Sequence, residues 1–481
     1  MSDEILNWTI CKSCLGRSTK RRKVKKKLKT QYKIACDIFD KSDKKGAAPI
    51  PPKGAKYPCE TCKGSGLILS HKPHIISTQK FPTIAIIGGG IGGVALAVAC
   101  LHRNIPFTLY ERDSSFNSRS QGYGLTLQQA RKILKAFGIL NLKEGVVSTR
   151  HVVHNTKGEI IGEWGMRKWI ENHKENTAKK SNIHIARQTL RLELIKQLGG
   201  HNAISWGHQL VALNETDTHV DLTFSVNGKE KQSKADLVIA ADGIHSTVRR
   251  LLIEDHHYPL RYLGCIVILG ICPLSAISHI NSDLLDSKTV FQTANGNERI
   301  YMMPYDSKNI MWQLSFPLNE TEAKALSKQG ATYLKAEACK RTPWHTPIPE
   351  IIKATNASLI SGYPVYDRAL FKPGLLEKFK RVSFIGDAAH PMSPFKGQGA
   401  NQAMLDALAL ARAIVEGCTN TLYDETKDGV RKHILNPFER DMLSRSAVKV
   451  KDSAKAAKFL HTDTVLRKLD APRGRIFKND N

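Results

Sequence analysis

Between Thr83 and Glu111 the chain sets out a strand, a glycine turn, a helix and a second strand in immediate succession. The run Thr83-Ile-Ala-Ile-Ile87 is apolar after its first residue, as a strand covered on both faces requires, and such strands belong to parallel sheets. Gly88-Gly-Gly-Ile-Gly-Gly93 follows. Next comes an apolar segment that predicts a helix over Val94–His102, and then Pro106–Glu111 as the second strand. In the spacing Gly88-x-Gly90-x-x-Gly93, glycine allows a tight turn, close approach of a pyrophosphate, and close packing of helix on strand. The pyrophosphate would sit at the helix N-terminus. Glu111 closes the second strand, where a carboxylate can accept hydrogen bonds from both hydroxyls of an adenosine ribose. A glycine motif alone is weak evidence. With a strand before it, a helix after it and the acid in place, it points to a dinucleotide.

Two later strands also end on an acid. Arg381–Ala407 predicts a buried strand over Val382–Ile385 that stops on Gly386-Asp387, then a glycine-rich turn, then a helix starting near Gly399. A carboxylate there can hold sugar or ribityl hydroxyls. The helix start offers unpaired N–H groups and roughly half a positive charge. That pair suits a polyol joined to an electron-rich ring that becomes anionic, which describes a flavin. Ala235–Ala240 is a further buried strand, and it leads to Asp242-Gly243 and another helix start.

A chain of 481 residues can bury a large core and suggests two to four domains. No apolar run is long enough to span a bilayer, and Met1–Cys14 lacks a basic region followed by an apolar one, so a cytoplasmic protein is expected. The net charge of +28 is uneven: residues 1–80 hold 19 Lys/Arg against 6 Asp/Glu. Ten of those cations lie between Arg17 and Lys33, a block suited to an acidic partner or nucleic acid, or simply to a solvated loop. Hairpins are expected over Val152–Trp164 and after Val220–Val226 at Asn227-Gly228. Residues 258–318 alternate apolar and polar over several strands, which predicts an antiparallel sheet inserted into the α/β domain. From Asn436 onward the chain reads as helical and basic.

The ordered set GxGxxG, DG and GD resembles the single-component FAD-dependent aromatic hydroxylases, such as salicylate, para-hydroxybenzoate, kynurenine and tetracycline-inactivating monooxygenases. The resemblance covers about residues 81–455. It implies a Rossmann-like FAD-binding α/β domain with an inserted substrate sheet and C-terminal helices. Glycines 88, 90 and 93 would take the pyrophosphate, and Glu111 the adenosine ribose, with Arg112 beside it. Gly124 fits the glycine pair near the flavin, and Arg187 fits the arginine of an R-x-x-L step. Asp242 would contribute to FAD and NAD(P)H binding, and Asp387 would hold the ribityl chain. Pro394 to Asn401 would lie along the isoalloxazine, with Gly399, Ala400 and Asn401 opening the helix. Ala240 stands where the family usually has glycine, and Lys396 is unusual inside the flavin turn.

The implied reaction is reduction of FAD by NAD(P)H, then hydroxylation of an aromatic or polyketide-like molecule with O₂ through a flavin C4a-hydroperoxide. No second GxGxxG exists, which fits transient NAD(P)H binding. Arg261, Tyr262, Tyr301 and Trp312 are candidates to touch substrate, each weighed against ordinary sheet packing or surface exposure. His390 is expected to be structural.

The implied segments are a basic extension (1–80), two parts of the FAD-binding domain (81–255 and 371–430), the substrate sheet (256–370) and a C-terminal helical region (431–481). Within the extension, Cys11-x-x-Cys14 and Cys59-x-x-Cys62 resemble repeats of the DnaJ cysteine-rich region. Four thiolates suit tetrahedral zinc; a redox dithiol or no metal are the alternatives. This extension motivates a rival function, a flavin scaffold or redox sensor that binds nucleic acid or a protein.

Overall fold

The computed structural model describes residues 7–43, 48–76, 78–118, 122–128, 130–166, 182–253, 258–372, 374–419 and 429–474. Its central layer is a five-stranded parallel sheet in the order Ile204–Ser205, Phe107–Tyr110, Ile84–Ile87, Leu237–Ala240, Val382–Phe384. Ile84–Ile87 and Leu237–Ala240 are buried at every position, as their unbroken apolar sequences require. From Ile84–Ile87 the chain builds outward on one side and returns on the other with Leu237–Ala240. These two neighbours therefore flank the switch point of the sheet, where a crevice opens beyond the strand ends.

The first glycine turn crosses that point. A Cβ on Gly93 would lie 1.9 Å from the Gly88 carbonyl oxygen, so only glycine lets the helix seat this closely. The helix spans Ile91–Leu101 and starts three residues before the expected Val94, because Gly90 is already its N-cap. It packs against the long helix Gly399–Cys418, whose predicted start at Gly399 holds. The next turn differs slightly from expectation. Ala235 closes the hairpin of Val220–Val226 with Lys229–Ala235, and the buried strand begins at Leu237. Between them Asp236 anchors the chain through its carboxylate to the Thr83 N–H and hydroxyl at 2.8 and 2.7 Å. Asn227 and Gly228 take positive φ of 51° and 76°, as a type I′ turn needs.

The second layer is a seven-stranded sheet in the order Ile160–Trp164, Arg150–His154, Thr289–Ala294, Arg299–Pro304, Asn309–Pro317, Leu260–Pro273, Ile360–Arg368. The expected antiparallel sheet is present, with one correction: Arg150–His154 pairs parallel to Thr289–Ala294. That hairpin joins the edge from a distant part of the chain, so no tight turn dictates its direction. One face of the sheet carries Ile266, Phe291, Trp312 and Phe316 against helices Glu320–Ser327, Ala331–Arg341 and Ile348–Ala354. The other face looks toward the parallel layer.

The N-terminal segment pairs Asn7–Ile10 with Leu67–Ser70 and Thr19–Arg21 with Lys56–Pro58. Helix Lys26–Lys41 leaves this small unit and buries none of its residues. The unit itself is seated on the main body: Trp8 is buried over Gly138, where a Cβ would come within 2.5 Å of the indole. Among the described residues no helix is long and apolar enough to cross a membrane.

Candidate active site

A cavity of about 980 Å³ lies where the two layers meet. From the parallel layer it is lined by Gly90, Gly92, Ala241, Gly243 and Asp387, and from the turn before the long helix by Pro394, Gly399 and Ala400. Tyr123, Gly124 and Arg187 line another wall, and Arg299, Tyr301, Met303 and Met311 of the large sheet close it.

Asp387 follows strand Val382–Phe384 and projects into the cavity, and its carboxylate has no hydrogen-bond partner among the described residues. Its enclosed position pushes its pKa up, while His390 and Arg187 pull it back down. Two helices point their starts at the same cavity. Neither Gly90, capping Ile91–Leu101, nor Gln398, capping Gly399–Cys418, supplies a side-chain cap, so the first N–H groups of both helices are left for a ligand. A Cβ on Gly90 would meet nothing within 4 Å, which leaves an open approach to the backbone. An unspent carboxylate, an open glycine and two uncapped helix starts are the donor and acceptor set that a polyol diphosphate with an electron-rich ring needs. On this observation the residues present fit FAD.

Of the other predicted residues, Gly88 and Gly93 shape the turn from behind rather than lining the cavity. Glu111 lies just past strand Phe107–Tyr110, and its carboxylate accepts the Gly89 N–H at 2.7 Å and the Asp113 N–H at 3.0 Å. Arg191 stands 3.9 Å from the same carboxylate, and Arg112 is exposed. Asp242 divides its carboxylate. Oδ2 accepts from the N–H groups of Thr247 and Val248 and so caps helix Thr247–Leu252, while Oδ1 is buried without a partner. Asn401 is buried and turned away from the cavity. Its Oδ1 accepts from Gln128 N–H at 3.0 Å, and its Nδ2 donates to the carbonyls of Thr126 (2.9 Å) and Gly397 (2.8 Å). Asn401 therefore fastens the glycine-rich turn to strand Gly124–Leu127. Arg187 stacks 5.1 Å from the centre of Tyr123.

Three of the four substrate candidates lie elsewhere. Trp312 is fully buried on the opposite face, its indole N–H bonded to Thr355 at 2.9 Å. Arg261 makes a two-pronged pair with Asp367 at 2.8 Å, and Tyr262 donates to the Leu318 carbonyl. Trp312 and Tyr262 are absorbed by packing, and Arg261 lies exposed in its ion pair. Tyr301 alone lines the cavity. His390 is structural as expected: fully buried, it meets Asp406 at 2.7 Å, and Asp406 also accepts the Gly386 N–H and an Arg445 contact.

Sequence reasoning missed Arg299. It shares a face with Tyr301 and Met303, because alternate strand residues point the same way. That spacing, taken from Tyr301, is the signal that could have found it. Burial holds its pKa down to about 10, so it remains a cation at neutral pH. Its partners are Gln292 Oε1 at 2.8 Å and the Tyr301 ring, and no carboxylate pairs with it among the described residues. His151 and His184 also line the cavity, and burial lowers their pKa values to about 4 and 3, so both are neutral there. His151 stacks on Trp164 at 5.3 Å with the ring planes nearly parallel. Lys396 lines the cavity as well and lies 5.4 Å from the centre of Phe459.

A second constellation lies outside the cavity. The sulfurs of Cys11, Cys14, Cys59 and Cys62 are all within 4.8 Å of one another and buried. Cys11–Cys59 are 4.0 Å apart and Cys14–Cys62 3.7 Å. Tetrahedral zinc–thiolate bonds put sulfurs about 3.8 Å apart, so the set fits a metal. The Gly66 N–H donates to Cys62 Sγ at 3.2 Å. None of the ten cysteines forms a disulfide.

Comparison with known proteins agrees with this geometry. The chain is 27% identical over 341 residues to the aurachin C monooxygenase/isomerase of Stigmatella aurantiaca, covering 69% of this chain and 80% of that protein. It is 25% identical over 356 residues to the 3-amino-4-hydroxybenzoate 2-monooxygenase of Streptomyces cremeus, covering 73% and 82%. In fold it is similar to Klebsiella pneumoniae HpxO complexed with FAD and uric acid (TM-score 0.63, 21% identity, 79% of this chain and 88% of that one). The 2,6-dihydroxypyridine-3-hydroxylase of Arthrobacter nicotinovorans is also similar (TM-score 0.65, 17% identity, 81% and 94%). Residues 81–425, well over half of the chain, match the family model described as FAD binding domain, and the protein therefore belongs to that family, among the FAD-dependent monooxygenases.

Proposed function

We propose that this chain uses NAD(P)H and O₂ to hydroxylate an aromatic or polyketide-like small molecule at the cavity between its two layers. The observation that carries the reading is Asp387, an unpartnered carboxylate exposed to the cavity beside an uncapped helix start. When bound, FAD supplies hydride acceptance and the oxygen chemistry. The chain's own residues hold and shield it. Asp387 takes ribityl hydroxyls. Gly88, Gly90 and Gly93 admit the pyrophosphate to the start of helix Ile91–Leu101. Glu111, with Arg112 beside it, faces the adenosine ribose, and the Asp242 turn borders the cofactor and NAD(P)H. Pro394, Gly399 and Ala400 lie along the ring, where the helix dipole favours negative charge. Asn401 keeps that turn in register, and Gly124 and Arg187 bound the opposite side.

The substrate half of the cavity has Arg299 as a buried cation and Tyr301, Trp164 and His151 as ring-sized walls. A buried cation without a carboxylate is costly unless something anionic or strongly polar meets it. The pocket therefore suits an aromatic compound bearing a carboxylate, phenolate or carbonyl oxygen. The name of the relative at 25% identity, a monooxygenase of an aminohydroxybenzoate, supports a ring substrate. The four cysteines hold zinc in this reading, the domain division follows the segments expected from sequence, and the protein works in the cytoplasm.

The test is a panel of phenolic acids, quinolones and polyketides incubated with the FAD-loaded protein, NADPH or NADH, and isotope-labelled O₂. One labelled oxygen should enter a product whose formation tracks NAD(P)H oxidation. Label found only in peroxide or water across the panel would make the protein a flavin reductase instead.

A further inference from the structure

The cysteine centre lies against two arginines of the main body, and both lack a carboxylate partner among the described residues. Arg412, on helix Gly399–Cys418, donates from Nε to the Gly16 carbonyl at 3.1 Å and from Nη2 to Ser18 Oγ at 3.0 Å. Gly16 and Ser18 directly follow the Cys11-x-x-Cys14 pair. Arg103, just past helix Ile91–Leu101, is 4% exposed and donates to the Ala99 carbonyl at 2.9 Å. A Cβ on Gly16 would lie 3.4 Å from its guanidinium. Both guanidiniums thus converge on Gly16, two residues past Cys14, and the nearby Glu416, which also draws on Arg412, is already in contact with Arg17.

Two like charges brought together in a half-dry seam are unfavourable unless compensated. Four neutral thiols, or two disulfides, compensate nothing. A divalent ion held by four thiolates carries a net charge of −2, which matches the two guanidinium charges. We propose that the cysteine centre is a dianionic tetrathiolate–metal site whose countercharges are Arg103 and Arg412, so that the metal clamps the N-terminal unit to the back of the two helices that start at the cavity. This rests on reading the cysteine cluster as a metal site. It goes further in making the unit an integral brace of the catalytic body rather than a tethered binding module. Trp8 over Gly138 and the Arg17–Glu416 contact at 3.5 Å extend the same seam.

The test uses the full-length, FAD-loaded protein purified under reducing conditions with added zinc. Metal content, zinc release to a chelator, and the temperature at which flavin fluorescence appears are measured. We expect one zinc per chain and a flavin-release temperature that falls by several degrees when the metal is stripped. Arg412→Met should speed zinc loss or weaken its affinity roughly 10- to 100-fold, the usual cost of removing a partner next to a metal's ligands. It should also shrink the drop in flavin-release temperature on chelation. Arg412→Lys, which keeps the charge, should fall between. A wild-type protein that takes up no zinc overturns both the metal reading and the clamp. One zinc per chain whose removal leaves flavin release unchanged, or Arg412→Met that matches wild type in both readouts, overturns the clamp alone.

Discussion

Asp387 meets the cavity with all of its accepting capacity unspent, whereas Thr126 and Gln128 on the facing wall are already paired. Asp387→Ala should therefore weaken FAD binding by roughly 100-fold, the worth of about two hydrogen bonds to a charged group. Equilibrium titration of apoprotein with FAD checks this, and fold stability without FAD should hardly change. His390 carries a different prediction. Burial alone would lower its pKa, but Asp406 at 2.7 Å outweighs burial and holds it above its ordinary 6.5. Its ion pair is fully formed below pH 6.5 and is lost as pH rises through the raised value. The melting temperature of the apoprotein should fall over that window, and His390→Gln should flatten the slope. A wild-type profile without that fall would contradict the charged pair. Arg299 and Trp312 show why residue roles were only partly legible. Both lie on strands with apolar residues on each face, so alternation alone does not say which face is core. The register decides: Met302 stands opposite Trp312 under the helices, while Tyr301 stands opposite Gln313 on the cavity side.

At the scale of elements, the parallel strands and their glycine turns were the most legible part. A short, mostly apolar run followed by a glycine turn has few other folds open to it, and Ile84–Ile87, Leu237–Ala240 and Val382–Phe384 all lie where that logic puts them. The parallel pairing of Arg150–His154 was not legible, since it depends on a contact between segments more than a hundred residues apart. Nor was the task of Asn401, which tethers the turn before helix Gly399–Cys418 to a strand 275 residues away in sequence. Asn401→Ala removes three hydrogen bonds at a buried site and should cost about 2–4 kcal/mol. It should loosen the flavin turn, visible as a lower melting temperature and weaker FAD binding together. Helix Lys26–Lys41 gives the opposite expectation. It buries nothing, so replacing it with a short flexible linker should leave FAD binding and turnover within about twofold of wild type. If salt-sensitive nucleic-acid binding disappears with it, the basic block has its own partner.

Across the whole molecule, two sheets with different pairing rules meet at one cavity, and the site is made of their junction. The parallel layer offers strand ends and helix starts, which suit a cofactor. The large sheet offers a cation and aromatic walls, which suit a substrate. The cofactor half could be read from three short motifs because each needs particular residues at fixed spacing. The substrate half is set by which faces come together, and short motifs do not record that. The most direct measurement is the visible absorbance of the purified full-length chain, followed by addition of FAD. We expect a yellow protein with one tightly held FAD per chain, held roughly 100-fold more weakly in Asp387→Ala. A well-folded wild-type protein that stays colourless after reconstitution with FAD would contradict it.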